Sequence, residues 1–139
     1  MNGYLLDTNV ISEIIRSAPN VRVVAFLAGR DDIWLSSIVI HELEFGVRRL
    51  PRGQRRAGLQ KDLMQFTNEY EDRILALDKT AAEWAAQFRV QAGQSGQVLS
   101  LGDALIAGTA RAHDLSLATR NVADFERLDL RVINPWEAA

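Results

Sequence analysis

Short apolar runs alternate with longer stretches of helical period along this chain. That alternation predicts an α/β architecture with a mostly parallel sheet. The apolar runs place five strands, at Gly3–Leu6, Ile33–Ser36, Arg73–Leu77, Leu115–Ala118 and Leu130–Ile133. Between the first two, the pattern predicts a short helix near Val10–Arg16 and another near Val21–Ala28. Pro19 and Asn20 open the second of these and Gly29 closes it.

Ser36 or Ser37 can cap a helix from about Ile38 to Leu50, which Pro51 ends. A longer, more polar helix is expected over Gln54–Tyr70. Asp78 or Thr80 opens the next, which runs to about Ala92 with Ala81, Trp84, Ala85 and Phe88 on its apolar face. "GQSGQ" reads as a loop, "SLGDALIAGTARAH" as a helix ending near His113, and "NVADFERL" as a turn with a short helix. No internal repeat, low-complexity tract or long linker interrupts the 139 residues, a length that suits one domain.

Composition narrows the class. Apolar residues make up 47% and charged residues 24%, as in an ordinary water-soluble protein. No apolar stretch has the length of a membrane span, and a secretory leader pattern is missing. Cysteine is absent, which excludes disulfides and thiolate metal sites and suits a reducing cytoplasm. The formal net charge of −2 neither requires nor excludes nucleic acid. One basic patch exists: "RRLPRGQRR" gathers Arg48, Arg49, Arg52, Arg55 and Arg56, either as a solvated corner or as a phosphate-binding surface.

Three acidic positions stand out. Asp7 interrupts "YLLDTN" where the first strand should end, and ligands of open α/β sheets gather beyond the carboxyl ends of strands. It can equally cap the next helix. Asp103 shares a helical face with Leu99, Ile106, Ala107 and Ala110, so its carboxylate falls in an apolar stripe. Periodicity alone does not choose between Glu42 and Glu44, which flank the face of Val39, Leu43, Val47 and Leu50. Thr119, Asn121 and Asp124 follow the fourth strand in "ATRNVADF". Acidic groups that converge must take up protons or share a cation, and oxygen-only donors select hard ions such as magnesium or manganese.

"LLDTNVISEI", "SSIVIHELEFGV", "LGDALIAGTARAHDLSLATRNVADF" and "VINPW", in this order, resemble the PIN-domain family and its VapC- and FitB-type bacterial toxins, from Tyr4 to Trp136. The resemblance implies an α/β/α sandwich around a five-stranded sheet. It implies a Mg²⁺- or Mn²⁺-dependent ribonuclease, encoded with an antitoxin that blocks it, and a homodimer. It also implies that Asp7, Glu42 and Asp103 bind metal, since Glu42 precedes Leu43 and stands four before Gly46. The fourth acidic position of the pattern is Asn121, which offers a neutral oxygen; Asp124 is a candidate for the missing charge. Thr8, Asn9, Ser36, Ser37 and Thr119 are candidates to orient the carboxylates, and Arg48 to Arg56 to guide RNA. Arg89 matches an arginine that such proteins often carry, with an ion pair, a phosphate contact or a solvated position as its readings.

Other chemistries fit poorly. His41 and His113 have no metal-ligand spacing, no Walker loop occurs, and the serines lack a His and Asp arrangement. The few, scattered aromatics suggest no stacking platform for bases. Two alternatives stay open. One is a phosphatase with Asp7 as nucleophile, which would need an aspartate at Asn9. The other is a non-catalytic module whose acidic pocket accepts a partner's basic residue, with Ile11, Ile14 and Ile15 as an exposed seat for a partner helix.

Overall fold

The computed structural model describes residues 2–137. Five parallel strands lie in the order β3-β2-β1-β4-β5, with β1 at Tyr4–Leu6, β2 at Ile33–Ser36, β3 at Ile74–Leu75, β4 at Ser116–Ala118 and β5 at Val132–Ile133. The helices are α1 (Thr8–Ile14), α2 (Val21–Leu27), α3 (Ser37–Arg48), α4 (Gln54–Glu69), α5 (Lys79–Gln94) and α6 (Leu101–Ala112). Leu5 and Leu6 are both fully buried although they point to opposite faces of the sheet, as an α/β/α sandwich requires.

Strand order locates the crevice. From central β1 the chain moves outward through β2 and β3, then returns to the other side for β4 and β5. The order therefore reverses between β1 and β4, where Leu5 pairs with Leu117 and Leu6 with Ala118. Ligand crevices form beyond strand ends at such a switch point. The Asp7 N–H still donates to the Ala118 carbonyl at 2.9 Å, so Asp7 leaves the sheet from a fixed position.

Helix signals behave as their chemistry dictates. The side chains of Asn20, Ser36, Asp78 and Ser100 cap α2, α3, α5 and α6 by accepting first-turn N–H groups. The segment "GQSGQ" departs from the loop expectation, because α5 continues through Gly93 and Gln94. Gly96, at φ +74, then ends it. The Gln97 N–H reaches back to the Ala92 carbonyl at 2.8 Å and the Gly96 N–H to Gly93 at 3.1 Å, a Schellman closure. A single-turn 3₁₀ helix at Glu71–Arg73 replaces the first residue expected of β3.

The core joins strand residues Leu5, Ile33, Leu35 and Leu117 to Val39, Leu43, Phe88, Ile106 and Ala107 of the helices. Helices α5 and α6 touch closely at Gly108, where a Cβ would meet the backbone of Ala81 and Ala85. Ile11, expected at the surface, is fully buried, and Ile14 and Ile15 are half-buried against the core. The short α1 turns Ile11 inward, so the expected seat for a partner helix loses that residue, while Ile14 and Ile15 keep partial exposure. No helix among the described residues is long and apolar enough to cross a membrane.

Candidate active site

Asp7 caps a helix and also lines a cleft. It is the N-cap of α1, and its Oδ1 accepts the Thr8 N–H at 2.8 Å. Its Oδ2 accepts the Thr119 hydroxyl at 2.8 Å and the Asn9 side-chain amide at 3.4 Å. Asn9 also donates to Thr119 Oγ1 at 3.2 Å and accepts the Arg120 N–H at 3.2 Å. The turn after β1 and the turn after β4 are thus one hydrogen-bonded unit.

Glu42 projects from the middle of α3. One carboxylate oxygen accepts the Thr8 hydroxyl, and the other lies against Gly102, where any Cβ would collide with it. Glu44, on the other flank of α3, is ion-paired to Arg48 at 3.1 Å. The structure therefore makes the choice that periodicity leaves open. Asp103 sits in the first turn of α6, and its N–H donates to Ser100 at 3.2 Å. Ser100 also hydrogen-bonds the Asp103 carboxylate, which still lines the cleft.

Asp7, Glu42 and Asp103 line one cleft of about 490 Å³ with Thr8, Asn9 and Asn121. Burial pushes the Asp7 carboxyl up to about 6. The Thr119 and Thr8 hydrogen bonds oppose that rise, and the charges on Asp103 and Glu42 add to it. Burial also raises Asp103; a Ser100 hydrogen bond opposes that rise, and the charges on Glu42 and Asp124 add to it. Among the described residues, none of the three carboxylates has an ion-pair partner. Nor are any three acidic or histidine side chains closed to metal-ligating spacing. The cleft is an open set of oxygen donors, which is donor chemistry suited to a hard divalent cation.

A family model for the PIN domain matches residues 4–130. The chain belongs to the PIN-domain family. Toxin FitB of Neisseria gonorrhoeae is 42% identical over 135 residues, covering 95% of this chain and 97% of that protein. VapC ribonuclease Y4jK of Sinorhizobium fredii is 38% identical over 138 residues, covering 97% and 99%. A solved structure of FitAB bound to an IR36 DNA fragment superposes with a TM-score of 0.89 at 38% identity, covering 98% of this chain and 97% of the other.

Other expected residues of this PIN-domain chain divide. Thr8, Asn9 and Thr119 hydrogen-bond to the Asp7 carboxylate, and Thr8 also to Glu42. Ser36 instead caps α3 by accepting the Val39 N–H at 3.1 Å, and no hydrogen bond joins the Ser37 side chain to the three carboxylates. Asn121 lines the cleft and donates its N–H to Thr119 at 3.1 Å. Asp124 is exposed on a 3₁₀ turn, where its charge is felt by Asp103. Arg48, Arg49, Arg52, Arg55 and Arg56 flank Pro51 and do not line the cleft; Arg89 is exposed on α5, also away from it.

The cleft's own cations are Arg16 and Arg120, which no sequence motif singles out. Arg16 is ion-paired to Glu13 at 3.1 Å. Glu13 is buried, and the Asn20 N–H on its carboxylate, helped by Arg16, holds it below the usual carboxylate range. Trp136, from "VINPW", also reaches the cleft. The one available signal is position: Arg120 follows Thr119 at a strand's carboxyl end.

Proposed function

We propose that this chain is a metal-dependent ribonuclease that acts as the toxin of a toxin–antitoxin pair. Its place among VapC- and FitB-like proteins supports the ribonuclease and toxin parts of the reading. The observation that carries the chemistry is the convergence of Asp7, Glu42 and Asp103 on one cleft, none of them ion-paired among the described residues. These three would hold Mg²⁺ or Mn²⁺, with Asn121 offering a neutral oxygen and Asp124 adding negative charge nearby. When bound, the ion supplies activation of water and stabilisation of the charge that builds on the phosphoryl oxygens.

The chain's own groups prepare that step. Thr119, Asn9 and the Thr8 N–H fix the Asp7 carboxylate, and the Thr8 hydroxyl fixes Glu42. Arg16 and Arg120 place positive charge beside an acidic surface that would otherwise repel a polyanion. The arginines from Arg48 to Arg56 offer a second phosphate-binding surface outside the cleft. Hydrolysis adds water across one phosphodiester bond of RNA.

The partner is a cognate antitoxin, by analogy with the FitAB assembly, and a second copy of this chain is proposed to complete a homodimer. The reading is tested by cleavage of a structured RNA with Mg²⁺, with EDTA, and with Asp7→Asn and Asp103→Asn. Cleavage should need Mg²⁺ and fall to background in both variants. Cutting that survives EDTA, or that both variants retain, overturns it.

A further inference from the structure

The cleft carries one feature that the metal chemistry does not use. The Arg120 guanidinium lies over the Trp136 indole, 5.1 Å from the ring centroid, at the rim beside Asp7. We propose that Arg120 and Trp136 form a substrate-contact pair. The guanidinium takes a phosphate next to the scissile bond, and the guanidinium–indole stack holds an unpaired nucleobase flanking it. This rests on the ribonuclease reading and extends it to single-stranded RNA.

Both residues are anchored for such a role. The Arg120 backbone N–H donates to Asn9 at 3.2 Å, and the preceding Thr119 holds Asp7. The Trp136 N–H donates to Asn134 at 2.9 Å, and its carbonyl accepts from Arg22 at 3.5 Å. Of the two cleft cations, Arg16 is engaged by the buried Glu13. Arg120 has no ion-pair partner among the described residues. A cation held by an aromatic face rather than a carboxylate keeps its charge available to an incoming phosphate. Aromatic and guanidinium planes both stack unpaired bases, and stacking tolerates any base.

Binding of a labelled single-stranded RNA is measured in Mg²⁺ on an Asp7→Asn background, which should not cut it. Arg120→Ala should weaken binding about tenfold and lower the slope of log K against log salt by about one. Trp136→Ala and Trp136→Leu should weaken it about tenfold, and Trp136→Phe less than about threefold. A duplex of the same sequence should show little dependence on Trp136. In the active protein, Trp136→Leu should raise KM with kcat nearly unchanged. Thermal melts confirm that each variant is folded.

Unchanged affinity in both Arg120→Ala and Trp136→Leu on that background, while the chain with Asp7 intact cuts RNA, would overturn this pair and leave the ribonuclease intact. Full affinity in Trp136→Leu alone would reduce Trp136 to packing and overturn the stacking role. If the unaltered chain neither binds nor cuts RNA, the ribonuclease reading falls and this proposal with it.

Discussion

The Thr119 hydroxyl donates to Asp7 Oδ2 at 2.8 Å, joining residues 112 positions apart at the ends of adjacent strands. A buried carboxylate that accepts a hydrogen bond is favoured in its charged form. Thr119→Val removes the donor and keeps the shape, so the Asp7 carboxyl should rise further above about 6. In the metal-free protein the Asp7 titration, followed by carboxyl ¹³C NMR, should move up by roughly half a unit to one unit, the equivalent of one hydrogen bond. An unmoved titration would show that Thr119 does not tune Asp7.

Asp7 also makes a pH-dependent stability prediction for the metal-free protein. Its carboxyl rises from 3.8 to about 6 on folding. The folded state therefore binds more protons than the unfolded state between those values, and stability falls as pH rises through that window. The full effect is about 3 kcal/mol at most. Asp7→Asn should melt several degrees above wild type at pH 8, match it more nearly at pH 4, and lack activity. Equal melting of the two at pH 8 would remove the claim that the charged carboxylate strains the fold.

Divalent metal should reverse that strain. A ligand that binds only the folded state raises its stability as ligand concentration exceeds Kd. Millimolar Mn²⁺ should raise the melting temperature of EDTA-treated wild type at pH 7.5. Asp7→Asn and Asp103→Asn should respond much less. An equal rise in all three proteins would place the ion elsewhere.

Gly102 gives Glu42 its position. A Cβ there would strike the Glu42 carboxylate, so Gly102→Ala should displace Glu42 and lower kcat about tenfold or more without unfolding the chain. At Gly58, in α4, an added Cβ would meet nothing within 4 Å. Gly58→Ala should leave activity unchanged and add about 0.5–1 kcal/mol of stability. Urea titration and initial rates on both variants check the contrast; matching rates would mean that Glu42 needs no such space.

Much of the fold is legible in the sequence. The pattern places the strand at Ile33–Ser36 with its observed ends, and α2 and α4 to within one residue, because caps, glycines and prolines are local signals. It makes the edge strands too long. Arg73–Leu77 shrinks to Ile74–Leu75 because its ladder with β2 joins only Leu35 to Ile74 and Ser36 to Leu75, a length no residue in the run specifies. The helix through Gly93 and Gln94 outruns its expected end at Ala92, since closure waits for the left-handed Gly96.

The sequence by itself determined the elements, their order and three acidic candidates, because period, capping and composition act over a few residues. Only the tertiary structure decided which carboxylates meet. It set Glu42 against Thr8 and Gly102, buried Ile11, and brought Arg120 and Trp136 to the cleft. Those outcomes depend on strand order and helix packing between residues tens of positions apart. Spacing along a chain carries no direct record of such distances.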